Sequence, residues 1–98
     1  METEFENECL DQLDAEKEYS GGYQLGVVKA FRKRMQAIRA AKDERDLYAM
    51  KGNRFEKLKG SRAHQHSLRL NDQMRLIVEI RKGQPKNKIV VVDIEDYH

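Results

Sequence analysis

The sequence predicts one α+β domain, residues 1–98, in which two N-terminal helices pack on one face of a small, mostly antiparallel sheet. Three observations lead to this fold class. The chain of 98 residues suits a single hydrophobic core. Its first half spaces apolar residues as helices do, and its second half alternates them as strands do. Because the helices precede the strands instead of alternating with them, we expect one helical layer on one sheet.

The chain begins with a short strand pattern followed by a helical one. Residues 2–6 alternate glutamate with other side chains, which predicts a short edge strand. Over residues 8–18, Leu10 and Leu13 recur at helical spacing and predict an amphipathic helix. The sequence Ser-Gly-Gly at 20–22 ends it.

A second, longer helix is predicted over residues 23–42. Basic side chains surround its apolar stripe, so it can pair with the acidic first helix across the glycine turn. One further helical turn is expected around Leu47. The stripe, interpreted as core, consists of Val27, Val28, Phe31, Met35 and Ile38.

The spacing of apolar residues then changes to that of strands, which are predicted at 54–58, 66–70, 73–81 and 89–94. Asn71–Asp72 tolerates positive φ and predicts a tight hairpin between the second and third of these strands. The last strand is almost continuously β-branched, as in strands that are buried on both faces.

Strand alternation places Arg69 and Arg75 on the sheet face that the helices leave partly open. Neither arginine shares a side with Leu68 or Leu76. In the predicted hairpin the two arginines are neighbours, and they repel each other unless an anion lies between them. Because a guanidinium group matches phosphate oxygens, we expect a phosphate there. The alternative is that both arginines form surface ion pairs with Glu79, Glu56 or Asp96.

Composition excludes several classes of protein. Charged residues make up 37% of the chain, hydrophobic residues 39%, and the mean hydropathy is −0.88. Such a chain is too small and polar to enclose a dinucleotide or haem, so no cofactor is expected. It has no apolar run for a membrane span and no apolar signal segment, which predicts a cytoplasmic protein that does not bind membranes. One cysteine, Cys9, allows no internal disulfide, and His64 and His66 lack a third ligand, so no metal site is expected.

Charge is divided unevenly along the chain. Residues 1–18 contain eight acids and one base, a net charge of −7, whereas residues 19–98 contain eighteen bases and nine acids, a net charge of +9. Residues 29–45 and 51–69 each carry a net charge of +5. Basic blocks of this kind attract polyanions, although they are also compatible with solvated helix faces.

Three segments carry a resemblance to a known family. They are GNRFEKLKGSR at 52–62, HSLRLNDQMRL at 66–76 and DIEDYH at 93–98. In this order and spacing they resemble HigB toxins of the RelE superfamily, and the helical half is similar in pattern. The resemblance implies a RelE-like microbial RNase fold and a toxin of a bacterial toxin–antitoxin pair that cleaves mRNA on the translating ribosome. Its expected partners are mRNA, the ribosome and a HigA-like antitoxin with a helix-turn-helix domain.

The family's functional positions fall on six residues of this chain. Where the plasmid-borne type has a histidine, this chain has Glu56, so the resemblance leaves the general base open. A second departure, Met74 in place of an aromatic residue, concerns packing. The positions carried over are Glu56, Lys59, Arg75, Asp96, Tyr97 and His98.

The chemistry of these side chains suits attack by the ribose 2′-hydroxyl on the adjacent phosphate. Glu56 or Asp96 would act as the base or would orient His98, and histidine ionises near neutrality. The cations Lys59 and Arg75 would stabilise developing charge, and Tyr97 would orient the phosphate or stack on a base. The expected mRNA-binding residues are Arg54, Lys57, Arg62 and Arg69, and the expected ribosomal RNA contacts are Arg32, Lys33 and Arg34.

Two other functions remain open at this point. A ParE-like toxin on the same fold inhibits DNA gyrase without an RNA-cleaving site, and an attenuated relative would bind RNA without cutting it. A basic face is as compatible with these two functions as with mRNA cleavage. A gyrase inhibitor, however, has no need for Lys59 and Arg75 beside a terminal Asp-Tyr-His.

Overall fold

A five-stranded sheet with helices on one face makes up the computed structural model, which describes residues 1–96. The helices are α1 (Glu8–Ala15), α2 (Leu25–Ala40) and α3 (Glu44–Ala49). The strands are β1 (Glu2–Phe5), β2 (Glu56–Lys57), β3 (Gln65–Arg69), β4 (Met74–Arg81) and β5 (Lys88–Asp96). Short 3-10 turns lie at Lys51–Asn53 and Gly60–Arg62. The predicted α+β fold class is confirmed.

Helix α1 is shorter than predicted. Asn7 caps its N-terminus by accepting a hydrogen bond from the backbone N–H of Leu10 at 3.2 Å. Leu10 and Leu13 are fully buried. The helix ends at Ala15 because residues 16–18 are charged and exposed, and so they add no apolar contact that would hold another turn.

Helix α2 contributes most of the helical side of the core. All five side chains of the predicted stripe are buried, which confirms its interpretation as core. The acidic and basic helices do pair: Asp14 of α1 accepts hydrogen bonds at 2.9 and 2.5 Å from Arg39 of α2. Leu47 anchors α3 with a fully buried side chain.

The strand order is β1-β5-β4-β3-β2, with antiparallel pairing except between β1 and β5. The predicted strand at residues 2–6 is therefore an edge strand, as expected. Strand β2 is the other edge and is only two residues long. Its shortness follows from Arg54, whose φ of 42° is left-handed, and from Gly60, whose φ of 66° begins a turn.

The two sheet faces differ in polarity. Leu68 and Leu76 lie on the helix face and are fully buried, whereas Arg69 and Arg75 are cross-strand partners on the second face, as predicted. This second face is less open than expected, because Arg75 and Ile77 are also buried there. In β5, burial on both faces holds for residues 89–91 only.

No helix within residues 1–96 is both long and apolar enough to cross a membrane.

Candidate functional site

Arg75 lies at the centre of the second sheet face and is 9% exposed. Its Nε donates a hydrogen bond to Ser67 Oγ at 3.0 Å, and its Nη2 donates to the carbonyl of Arg54 at 2.7 Å. Nη2 also lies 3.9 Å from a carboxylate oxygen of Glu56. The side chain thus crosses β3 and joins β4 to the beginning of β2.

Arg54 has an unusual backbone conformation at this junction. It is the only non-glycine residue with positive φ within residues 1–96. A left-handed conformation is unfavourable for a residue with a Cβ atom, and it persists where the surroundings fix it. The hydrogen bond from Arg75 to the Arg54 carbonyl supplies such a constraint. Arg75 therefore fixes the backbone at Arg54, two residues before β2 begins at Glu56.

A surface groove of about 420 Å³ runs beside β2. Its carboxylate belongs to Glu56, whose side chain is 63% exposed. Lys59 is also exposed, and its ammonium group forms no hydrogen bond or ion pair to any part of the chain that the structure describes. The groove therefore presents one carboxylate and several cations to solvent. It is lined by Glu56, Lys57, Leu58, Lys59 and Arg62.

Arg62 lines this groove, and its side chain extends across the sheet. Its guanidinium group donates to both carboxylate oxygens of Glu95 at 2.9 and 2.7 Å, and its Nε donates to Gln65 at 3.0 Å. Gln65 is on β3 and Glu95 on β5, so the side chain spans β4. A bidentate carboxylate pair of this kind fixes a guanidinium group strongly.

Ser67 and Glu95 are site residues that the sequence reasoning missed. Strand alternation would have found Ser67, because it lies two residues before Arg69 on the same face. Glu95 was missed because the sequence pattern ends the last strand at residue 94, whereas β5 continues to Asp96 and pairs Glu95 with Arg75.

Arg69 and Arg75 are neighbours in the register, but their guanidinium groups have separate partners. Arg69 donates to the carboxylate of Asp72 in the hairpin, whereas Arg75 donates to Ser67 and Arg54. The acceptors recorded for Arg69 and for Arg75 thus differ, and the carboxylate of Asp72 reduces the cross-strand repulsion. The phosphate expected between the two arginines stays a prediction.

Asp96 ends strand β5 and is exposed. The register pairs it with Met74, and its carboxylate accepts a hydrogen bond from Gln73 Nε2 at 2.8 Å. It thus lies at the hairpin end of the sheet, next to Glu95. The other two predicted catalytic residues, Tyr97 and His98, lie outside the described residues.

The three basic residues of α2 that the sequence assigns to ribosomal RNA differ in their surroundings. Arg32 donates to the carbonyls of Leu13, Glu16 and Tyr19 at 2.9–3.2 Å. These carbonyls lie at and just after the end of α1, where a cation is favourable. Lys33 is exposed.

Arg34, the third of these residues, contacts two loops. It donates to the carbonyls of Arg69 and Gly52, both at 2.8 Å. Burial, together with the neighbouring Arg69, lowers the pKa of Arg34. Arg32 and Arg34 therefore stabilise the fold, which the sequence pattern had not indicated.

The two histidines of the His-x-His pair do not share a site. His64 Nε2 lies 3.9 Å from a carboxylate oxygen of Glu79, while His66 stacks on Phe55 and is hydrogen bonded to Tyr48. Among residues 1–96, no group of three or more His, Cys, Asp or Glu side chains is arranged to hold a metal ion.

Comparisons with known proteins relate the chain to toxins. A family model described as the RelE-like toxin of the type II toxin–antitoxin system HigB matches residues 3–98. Among solved structures, the YoeB/ParE toxin from Agrobacterium tumefaciens is similar, with a TM-score of 0.61, 13% identity and 100% of both chains covered. This low identity relates the two chains in fold alone. A search of curated proteins gives no match.

Proposed function

We propose that this chain, which belongs to the HigB-like family of RelE-like type II toxins, is an endoribonuclease that cuts mRNA on the ribosome and so stops translation. Membership of a type II toxin–antitoxin system implies an antitoxin partner. We propose a HigA-like antitoxin with a helix-turn-helix domain, and the cytoplasm as the site of action.

The observation that carries the proposal is the groove beside β2. It combines an exposed carboxylate, Glu56, with the ammonium group of Lys59, and Arg75 Nη2 lies 3.9 Å from the Glu56 carboxylate. Acid–base chemistry on a phosphodiester needs a proton acceptor and cations within the same small volume. The groove supplies both.

In the proposed reaction, the 2′-oxygen of a ribose attacks the adjacent phosphorus and the bond from phosphorus to the 5′-oxygen breaks. The 2′-hydroxyl proton passes to Glu56 or Asp96, and the 5′-oxygen receives a proton from His98. Lys59 and Arg62 face the charge that develops on the phosphate oxygens. The products are a 2′,3′-cyclic phosphate and a 5′-hydroxyl.

Arg75 has a positioning role in this proposal. Its guanidinium group is largely buried, and it donates hydrogen bonds to Arg54 and Ser67. It holds the first residues of β2 and therefore the carboxylate of Glu56. Tyr97 would stack on a base or orient the phosphate.

Toeprinting of a reporter mRNA on translating ribosomes tests the proposal. The wild-type chain should produce new mRNA ends within the ribosome-bound codons. The Lys59→Gln variant and a truncation that ends at Glu95 should produce few or none. Cleavage at the wild-type rate by the truncated chain would overturn the assignment of the terminal residues.

A second candidate function is inhibition of DNA gyrase, because the similar structure is a protein described as YoeB/ParE. The two functions make opposite predictions. A gyrase inhibitor would block supercoiling by purified gyrase and leave mRNA on ribosomes intact, and the loss of Lys59 would have no effect.

A further inference from the structure

Three aromatic rings form a compact cluster at the β2 edge of the sheet. His66 and Phe55 are stacked, with ring centroids 4.7 Å apart and planes 12° apart. The Tyr48 ring meets Phe55 edge to face at 4.8 Å, and its hydroxyl is hydrogen bonded to His66 Nε2 at 3.0 Å. These contacts fix the orientation of Tyr48. We call Tyr48, Phe55 and His66 the aromatic ledge.

Tyr48 is the exposed member of the ledge. Phe55 is 5% exposed, whereas Tyr48 is 51% exposed although it is a large aromatic residue. An aromatic ring that is held in place on one side and open to solvent on the other loses little conformational entropy when a second ring stacks on it.

The ledge adjoins the groove described above. His66 is the cross-strand partner of Lys57, and Lys57 also lines the groove. Glu56, one residue earlier, points to the opposite face of β2. The edge strand therefore separates the proposed cleavage site on one side from the ledge on the other.

The charge around the ledge favours a nucleic acid as its ligand. Lys51, Arg54 and Lys57 lie between or beside its members in sequence, and all three are exposed. Exposed aromatic rings interleaved with cations form the surface that binds single-stranded nucleic acids, because bases stack on the rings while phosphates contact the cations.

We propose that the aromatic ledge binds a base of the single-stranded RNA by stacking it on the open face of Tyr48, while the flanking phosphate contacts Lys57. The proposal rests on the proposed function, since it makes the ledge an additional subsite for the same RNA. It differs from that function in assigning a binding contact outside the reacting groups.

A single-stranded DNA oligonucleotide that contains one 2-aminopurine base tests binding to the ledge. The strand cannot be cleaved by the proposed reaction, since it has no 2′-hydroxyl. Stacking quenches 2-aminopurine fluorescence, and the chain contains no tryptophan that would interfere. The wild-type chain should bind and quench this strand. Tyr48→Phe should preserve both effects, and Tyr48→Ala should abolish the quench and weaken binding about 5- to 150-fold, as about 1–3 kcal/mol of stacking implies.

Leu25→Ala is the matched control, because Leu25 is 66% exposed and lies on α2 instead of at the ledge. It should bind as the wild type does. Absence of quenching by the wild-type chain would overturn the proposal, and so would unchanged binding by Tyr48→Ala. A Tyr48→Ala variant that binds the oligonucleotide normally but loses its antitoxin would also overturn it, since the ledge would then be a protein-binding surface.

The outcome is separable from that of the proposed nuclease. A protein that stacks the oligonucleotide on Tyr48 but cuts no mRNA would refute the proposed nuclease function and support base binding at the ledge. If the wild type and the Tyr48→Ala variant cut mRNA equally well and bind the oligonucleotide equally well, the nuclease is supported and the ledge is refuted.

Discussion

At the scale of single residues, the cations of the site divide into those fixed within the protein and those open to solvent. Arg75 is buried and hydrogen bonded to Ser67, whereas Lys59 is exposed. Arg62 combines the two properties, because Glu95 holds its guanidinium group and the side chain is still partly exposed. A fixed guanidinium group orients its neighbours, and an exposed ammonium group is available to a phosphate. The two groups therefore give different results when they are replaced.

We expect Lys59→Gln to reduce the rate of mRNA cleavage by about 10²–10³-fold, which is typical of the loss of one charge-stabilising donor. Its midpoint of urea unfolding should not change, because Lys59 is exposed. The control is Lys29→Gln, which removes an exposed charge from α2. Equal activity of the two variants would show that Lys59 has no special role.

Arg75→Ala, in contrast, should destabilise the fold. The substitution removes a donor from the buried Ser67 hydroxyl and from the partly buried Arg54 carbonyl, and a buried group left unsatisfied costs about 1–3 kcal/mol. Urea unfolding followed by circular dichroism measures the loss. A variant as stable as the wild type but inactive would instead show that Arg75 acts directly on the RNA.

His66 should make stability depend on pH. Burial, followed by the nearby Lys57, lowers the pKa of His66, and its buried Nδ1 has no hydrogen-bond partner. His66 therefore binds a proton at higher pH in the unfolded chain than in the folded one. The stabilising contribution is complete above the unfolded-state pKa of about 6.5 and is lost as pH falls through the lower folded-state value.

The comparison that isolates this effect is between the wild type and His66→Gln. Between about pH 8 and pH 5, the wild type should lose more free energy of unfolding than the variant. Identical losses in the two proteins would mean that another group causes the pH dependence.

At the scale of elements, apolar periodicity identified α2, and the turn residues Asn71 and Asp72 located the hairpin between β3 and β4, because both follow from local patterns. The positive φ expected at the turn was wrong, since residues 70–73 make a longer connection in which neither residue is left-handed. The end of α1 and the short length of β2 depend on tertiary contacts and on the left-handed Arg54. The same limit applies to the site. Alternation brought Arg69 and Arg75 together correctly, but charge alone does not show that Arg32 and Arg34 are hydrogen bonded to backbone carbonyls.

The contacts of α2 lead to a prediction about its basic face. Arg32→Ala removes donors from three carbonyls and should reduce the free energy of unfolding by about 2 kcal/mol. Lys33→Glu should change it by less than about 0.5 kcal/mol, as expected for an exposed side chain. Thermal unfolding of both variants checks the difference, and an equal effect of the two would contradict it.

At the scale of the whole molecule, the acidic N-terminal segment forms ion pairs with basic residues that lie outside the groove. Glu4 pairs with Lys88, and the hydrogen bond from Lys88 is the main cause that lowers the pKa of Glu4. Glu6 pairs with Arg81 in the same way, and Asp14 with Arg39. The basic residues at 51–59 have only Glu56 among them, so positive charge concentrates beside β2.

Binding of single-stranded RNA should therefore depend on salt through a few contacts. If Lys57, Lys59 and one further cation each neutralise a phosphate, the logarithm of the binding constant should fall with that of salt concentration with a slope of about −2. Replacing Lys57 and Lys59 together by Gln should make the slope shallower by about 1.4. A slope that does not change would place the RNA elsewhere on the molecule.

The most direct test of the proposed chemistry is the identity of the new RNA ends formed on ribosomes. We expect a 2′,3′-cyclic phosphate on one fragment and a 5′-hydroxyl on the other, and we expect one 2′-deoxy substitution at the cut site to prevent cleavage there. Fragments with a 5′-phosphate, or cleavage that persists at the deoxy position, would contradict attack by the 2′-hydroxyl.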